Sequence, residues 1–568
     1  MKRIYKSIMV LSGITIGLLM ATGCSKYVDK GPLDQLTDQN FWTSENNVQA
    51  FSWGFYNDII TGFGTGTNGR FYFSSFSDDQ DNSTFLNFDK NAPAGDGNWS
   101  FGDIRKANLL LARINEVPIS QTAKNYWAGV ARFFRAWCYF RLVERFGDVP
   151  WYGVVPDISD TSLIYEPRTP RNTVMDSVLA DLNFAIANLY SAADANTNVG
   201  SNTINQDCAL ALKSRVCLYE GTYAEYDENN NTRAAQYLQE CKDASYKLIT
   251  SGSYTPAADF RSTYNSESLA GAPNMILYRS YILNQVTHST VGYTNSTTVM
   301  YGPSKSAVNS FVCKDGLPID LSPEYKGDTS IQDVLANRDG RLPETIDSFL
   351  CYGNNRVFGM SSSTGYRPNK FLPDGVEKPG DYSTAPYNTT DAPIFWIEET
   401  MENYAEACAE LDKLGQYTIT QADLDISINK LRARSSVDVA PLQIYGHQGT
   451  AINGVPFVDP QKDPDVTSLI WEIRRDRRDE LMMDGFRLED LLRWHKLDYM
   501  DPQINPDVFL GAWIKSSPAG QTVNADGYLE VYPAGTTRPV QPQDYLWPIP
   551  TGEISLYPNG ELTQNPGW

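Results

Sequence analysis

From residue 41 to about residue 260, apolar positions recur at the three- and four-residue spacing of helices that bury one face. In "FWTSENNVQAFSWGFYNDII" the stripe is Val48, Phe51, Phe55 and Ile59, with Thr43 or Ser44 placed to cap the helix N-terminus. "SFGDIRKANLLLARINEV" carries Ile104, Ala107, Leu111 and Ile114 on one face. "YWAGVARFFRAWCYFRLVERFGDVPW" gives Val130, Phe134, Trp137, Phe140 and Val143, and Gly147 and Pro150 close it. The pattern repeats in "VMDSVLADLNFAIANL", "CALALKSRVCLYEGTYAEY" and "RAAQYLQECKDASYKLI". These segments come in neighbouring pairs joined by short turns, and small residues (Ala209, Ala211, Ala234) stand where two helices would approach closely. The pattern predicts a mainly α-helical scaffold of tetratricopeptide-type hairpins, although no strict repeat is visible in the letters.

Residues 261–390 break the pattern. They are rich in Ser, Thr, Asn, Gly, Pro and Tyr, and contain only short apolar runs such as "MILYRSYIL" and "SFLCYG". So long an irregular segment inside a helical chain reads as a functional, loop-rich insertion. Helical spacing resumes at "TMENYAEACAELDKLG" and "TQADLDISINKLRARS", and the last long helix lies in "SLIWEIRRDRRDELMMDGFRLEDLLRWHKL". A Pro- and Gly-rich tail of extended segments follows.

The first residues form a separate unit. Lys2, Arg3 and Lys6 precede an uncharged apolar run, Ile8 to Met20, that is too short to span a bilayer, which takes ~20 residues. It reads as the apolar stretch of an export signal over residues 1–23. Cys24 follows directly, and three readings compete for it: a core thiol, half of a disulfide, or a covalent tether.

Composition narrows the function. The chain has 568 residues, 41% of them hydrophobic and 12% aromatic, which describes a packed protein. Its net charge is −21, and removal of residues 1–23, with three positive charges and no negative ones, leaves −24. Such a surface repels phosphate backbones, so nucleic acid is excluded as a partner. Three histidines (His288, His447, His495) lie far apart in sequence and argue against a histidine-rich metal centre. Besides Cys24 there are seven cysteines, none in C-x-x-C spacing. Cys138, Cys208, Cys217 and Cys408 fall inside helical patterns, where a thiol behaves as a small hydrophobe, so free thiols are expected.

Two charged stretches invite a functional reading and are better read as scaffold. In "RRDRRDELMMDGFR" the arginines alternate with Asp476, Asp479, Glu480 and Asp484, and pairs such as Arg475–Asp479 suit a helix surface, with Leu469, Ile473 and Leu481 on the packed side. "NRDGRL" is read as a turn whose Asp339, Arg338 and Arg341 fix the chain. Among 68 acidic residues nothing singles out a glycosidase pair, and no nucleophile motif or phosphate loop is present.

The aromatic residues say more. "RFYFSSFSDDQDNSTFLNF" mixes rings with Asp and Asn without helical period. A sugar presents an apolar C–H face and a rim of hydroxyls, so its binder needs flat rings beside short polar groups. Asp78, Asp79, Asp81, Asn82 and Phe85 fit that description, and "VGYTNSTTVMYGPSKS" adds Tyr293, Asn295 and Tyr301. Ordinary core packing is the alternative for each ring. Asp- and Asn-rich loops also suit oxygen-coordinated Ca2+, which leaves a structural Ca2+ open, while no other cofactor is expected.

Taken in order, several stretches resemble the SusD/RagB family of lipid-anchored nutrient-binding proteins. They are "LDQLTDQNFWTSENNVQAFSWGFYNDI", "ARFFRAWCYFRLVERFGDVPW", "ALALKSRVCLYEG", "NRDGRLPETI", "NYAEACAELDKLG", "INKLRARS", "RRDRRDELMMDGFRLEDLLRW" and "LWPIPTGEISLYPNGELTQNPGW". One departure is Trp396, where the family usually has Arg; packing is expected there instead of an ion pair. The resemblance implies a helical SusD-like part over 36–260, the insertion, and a C-terminal part over 391–568 of the same unit. It also implies non-catalytic capture of an oligo- or polysaccharide at the outer surface of the outer membrane, and delivery to a SusC-like TonB-dependent transporter that the protein caps. The glycan site would lie where the loops around 70–88 and 293–301 meet, assigned by region. Peptide capture, as in the RagB branch, and surface glycoside hydrolysis are the alternatives. Of the three readings of Cys24 the tether remains, since Cys24 lies outside any helical pattern and the other cysteines look buried and unpaired: "ATGC" reads as a relaxed lipobox, residues 24–35 as a leash, and acyl chains on Cys24 as the membrane anchor.

Overall fold

The computed structural model describes residues 41–64, 76–157, 159–294, 301–357, 359–375, 388–515 and 521–568. Long helices dominate: α1 (Glu45–Ile59), α2 (Gly102–Arg113), α3 (Gln121–Phe146), α4 (Arg171–Asn188), α5 (Gln206–Tyr226), α6 (Asn231–Ile249), α7 (Ile397–Lys413), α8 (Ser468–Glu480) and α9 (Arg487–Arg493). The caps follow the sequence. Ser44 accepts from the Asn47 N–H at 3.4 Å, Ser120 from Ala123, and Asn205 from Asp207 and Cys208, so orphan N–H groups of each first turn are satisfied. Gly147 ends α3 at φ +71°, a conformation open to glycine at little cost.

Packing runs from helix to neighbouring helix. α3 lies between α2 and α4, α5 pairs with α6, α6 meets α7, and α7 meets α8. The expected stripe of α3 is buried, together with Phe133, Ala136 and Tyr139, so this helix is enclosed on more than one side. α5 is buried along nearly its whole length and approaches α6 closely: a Cβ on Gly221 would stand 2.7 Å from Leu238. Ala209, Ala211 and Ala234 are buried, as their small size suggests. A polar tie crosses the first hairpin. Arg135 of α3 donates to Asp181 of α4 at 2.7 and 2.8 Å and to Asn108 of α2 at 2.7 Å, which satisfies a guanidinium inside an apolar layer. The seven described cysteines are free, and all but the half-buried Cys138 are buried.

The insertion holds only short elements among its described residues, and it has a core of its own. Tyr264, Tyr301, Phe311, Leu342, Tyr366 and Phe371 pack with Trp396, Leu481 and Phe486 from the C-terminal part. Trp396 is buried, edge-on to Tyr264 and 5.9 Å from Phe486, so the ring packs where the family usually has a charge. Strands come in small antiparallel groups. β1 (Gln80–Asn82) pairs with β3 (Tyr301–Pro303), and β2 (Met275–Arg279) pairs with β4 (Ala392–Trp396).

The two charged stretches form one buried network. Arg341 is fully buried and reaches Asp339 at 2.7 Å, Asp476 at 2.9 Å and Glu480 at 3.0 Å, so the "NRDGRL" turn is anchored on α8. Arg338 donates instead to the carbonyls of Val308 and Phe311. Arg475 differs from expectation: it turns to Glu472 at 3.0 Å and to Asp459, while Asp479 accepts from the Ser310 hydroxyl. Ser310 of the insertion and Asp459 reach onto this helix, so Arg475 and Asp479 are paired with other protein groups and not with each other. No helix among the described residues is long and apolar enough to cross a membrane.

Candidate functional site

The two loop regions singled out by composition are brought together by the β1–β3 ribbon. Gln80 faces Pro303, Asp81 faces Gly302, and Asn82 faces Tyr301. Gly302 allows the ribbon to lie against the insertion, because a Cβ there would come within 2.2 Å of the Ser362 and Thr364 hydroxyl oxygens. Just beyond the ribbon, Ser304 donates its hydroxyl to the Asp78 carbonyl at 2.8 Å and its N–H to that of Asp79 at 2.9 Å.

Asp78, Lys305 and Ser306, which flank this ribbon, form one edge of a cleft of about 930 Å3. That volume lies at the upper end of the ~300–1,000 Å3 typical of ligand sites. α8 supplies a floor of Trp471, Arg474, Arg475 and Arg478, spaced i, i+3, i+4, i+7 along one face. Tyr325, Tyr528 and Tyr499 with Asn309 and Asn505 complete the lining that bears on recognition.

The rings are held at their polar edges. Trp471 Nε1 donates to Asp459 at 2.8 Å, the Tyr528 hydroxyl to Asp328 at 2.6 Å, and the Tyr499 hydroxyl to Asp463. Fixing an aromatic by its edge sets the angle of its face before any ligand arrives, which lowers the ordering penalty of binding. The arginines are equally fixed. Arg487 holds Asp78 through two bonds of 2.7 and 2.8 Å, Arg478 reaches Asp79 at 2.7 Å and Asp78 at 3.2 Å, and Arg474 reaches Glu410 at 3.1 Å. Burial raises the Asp78 carboxyl, but Arg478 and Arg487 outweigh it and leave the group below the usual carboxylate range. Asp79 goes the other way, because burial and the Asp78 charge together outweigh Arg478.

Two family models match the chain: one described as "SusD family" over residues 223–568, the other as "Starch-binding associating with outer membrane" over 33–218. The chain belongs to the SusD family. A SusD-like protein of Bacteroides ovatus is 23% identical across 99% of this chain and 97% of its own length. A SusD-like protein of Formosa agariphila is 24% identical, but the match spans 39% of this chain and 44% of that one. Among solved structures, a SusD-like carbohydrate-binding protein of Bacteroides fragilis superposes with a TM-score of 0.68 at 20% identity, covering 92% of this chain and 99% of that one. A laminarin-binding SusD-like protein gives 0.55 at 17% identity, over 93% and 100%. At these identities the structural likeness establishes the SusD-like fold.

Within this SusD fold the residues named from sequence separate. Asp78 borders the cleft, but it is as buried as Asp79 and Asp81 and both its oxygens accept from Arg487. Asp79, Asp81 and Tyr301 are almost fully buried, so they hold the ribbon and the second core rather than face a ligand. The Asn82 side chain accepts from the Thr84 N–H in a local turn. Phe85 packs edge-on to Tyr532 at 5.0 Å and Phe509 at 5.8 Å, below the Arg538 guanidinium, outside the cleft lining. Asn295, the Tyr293 side chain and Cys24 with the whole of residues 1–35 lie outside the described residues. Composition and spacing do not single out Trp471, Tyr499, Tyr528, Asn309 or Asn505, which also line the cleft. The available signal was Trp471 on the arginine face of α8, opposite the stripe of Leu469 and Ile473. No group of three or more His, Cys, Asp or Glu side chains among the described residues is arranged to hold a metal ion.

Asp81 leads to a pH prediction. Its Oδ2 has no hydrogen-bond partner among the described residues, and burial pushes the carboxyl up from 3.8 to about 8 against the opposing pull of Arg538. A carboxyl that binds its proton more tightly when folded contributes stability that is fully present below about pH 4 and lost as pH rises towards 8. Asp81→Asn removes that slope. The variant should gain melting temperature relative to the parent at pH 8 compared with pH 5, measured by calorimetry; the same offset at both pH values would contradict this.

Proposed function

We propose that this protein captures an oligo- or polysaccharide at the cell surface without cleaving it, and passes it to a SusC-like TonB-dependent transporter that it caps. The observation that carries the reading is the cleft: Trp471, Tyr499 and Tyr528, each fixed at its polar edge, stand beside Asn309 and Asn505. Ring faces suit the C–H face of a sugar, and the short amides suit its hydroxyls. Names of similar proteins point the same way, since they include carbohydrate-binding and laminarin-binding members, and one family description places its members at the outer membrane. Acyl chains on Cys24 would supply the tether, with residues 25–35 as its leash.

Titration of the purified protein against a glycan panel tests this. At least one glycan should saturate binding with no release of reducing ends, and Trp471→Ala should weaken that binding at least tenfold, about 1.4 kcal/mol. Saturable binding of peptides with no response to any glycan would replace sugar capture by peptide capture. Product release from a glycan would overturn the non-catalytic reading.

A further inference from the structure

The charges around the cleft do more than hold its walls. Seven lysines and arginines line it, and four of them, on α8 and α9, are engaged with Asp78, Asp79, Glu410, Glu472 or Asp459. The lysines are engaged as well. Lys305 meets Asp507 at 2.6 Å, Lys496 meets Asp465 at 2.6 Å and Asp463 at 2.9 Å, and Lys462 donates to the Asp463 and Val466 carbonyls at 2.7 Å each. Each lining cation is thus spent on the protein itself.

The acids are not balanced in the same way. Asp320, Asp328 and Asp498 line the cleft with no cation within salt-bridge distance among the described residues. Asp320 is exposed and accepts from Gln461 Nε2 at 3.4 Å, and among the described residues Asp328 accepts from the Tyr528 hydroxyl alone. Asp498 is half-buried and lines the cleft. Its Oδ1 is shielded from solvent and has no hydrogen-bond partner among the described residues, so a ligand meets the part of the carboxylate that faces the cleft. A cleft-facing carboxylate oxygen accepts a donor, and a sugar hydroxyl is a neutral donor of the right size. A carboxylate or sulfate on the ligand would meet the reverse: cations already engaged and three carboxylates without a salt-bridge partner among the described residues.

Resting on the proposed glycan capture, we infer that the cleft selects glycans without acidic groups, whose hydroxyls donate to Asp320, Asp328 and Asp498. The test is a two-class panel on the whole protein: neutral gluco-, xylo-, manno- and galacto-oligosaccharides against oligogalacturonate, oligoalginate and chondroitin sulfate. A neutral ligand should bind at least tenfold more tightly than every acidic one, with affinity unchanged between 50 and 500 mM NaCl. An acidic glycan that binds as tightly as the best neutral one overturns the selectivity and leaves glycan capture standing. Binding of neither class overturns both. Asp498→Asn provides a second measurement, because the amide keeps the shape and changes what the group accepts. It should weaken the neutral ligand about fivefold with an unchanged melting temperature, and an unchanged affinity overturns the hydroxyl-acceptor role.

Discussion

Arg341→Ala is expected to lower the unfolding free energy by about 3–5 kcal/mol, the range for breaking a buried ion pair from one side. The arginine is fully buried and serves Asp339, Asp476 and Glu480 together. Two of those acids keep another partner, since Arg432 still reaches Asp476 at 2.9 Å and Arg434 still reaches Glu480. Asp339 keeps no cationic partner among the described residues and is itself fully buried, so the loss concentrates there. The double variant Arg341→Ala/Asp339→Asn should therefore recover part of the stability, and Arg341→Lys should recover little, because one ammonium cannot fork to three carboxylates. Denaturant unfolding measures all three. A single-variant loss below about 1 kcal/mol would show that the turn is anchored by packing rather than by charge.

Glu406→Gln is the second large effect. Both oxygens of Glu406 accept from Arg493 at 2.6 and 2.7 Å, and Trp494 Nε1 adds a bond of 2.7 Å. Burial raises this carboxyl, but Arg493, with Arg477 and Arg474, more than reverses that and brings it down from 4.5 to about 2. A group depressed on folding contributes stability above its unfolded pKa and loses it as pH falls, here between about 4.5 and 2. The shift corresponds to ~3 kcal/mol at neutral pH. The glutamine variant should be less stable than the parent by about that amount at pH 7, and the gap should narrow as both are taken towards pH 2. A gap that stays constant with pH would assign the loss to side-chain shape rather than to charge.

The helical half of the molecule was legible because periodicity and caps act locally. Ser44, Gly147 and the stripe of α3 are each settled by residues within a few turns. On α1 the pattern was only partly right: Ser52 is buried while Phe51 is half-buried, since a neighbouring helix and not the helix itself decides which flank is covered. The charged helix α8 was read correctly as scaffold on one side, and its cleft-lining side went unseen. Nothing in "WEIRRDRRDE" shows that a loop at 318–328 and Tyr528 would stand across from it, because those contacts join segments far apart in the chain. Composition located the ribbon of β1 and β3, but burial could not be read from composition. Polar residues such as Asp79 and Asp81 look like surface until Arg478, Arg538 and Tyr532, about 400 to 460 residues on, are placed around them.

The bond between Asp78 and Arg487 joins residues 409 positions apart. Such a closure has to wait until nearly the whole polypeptide is available, and its entropy is recovered only when both ends are in place. During synthesis the segment around residue 78 emerges early and stays without its guanidinium partner until about six sevenths of the chain has been made. The cleft is thus among the last parts to mature, and a chain cut short before α9 would lack Arg487, Tyr499, Asn505 and Tyr528 from its lining.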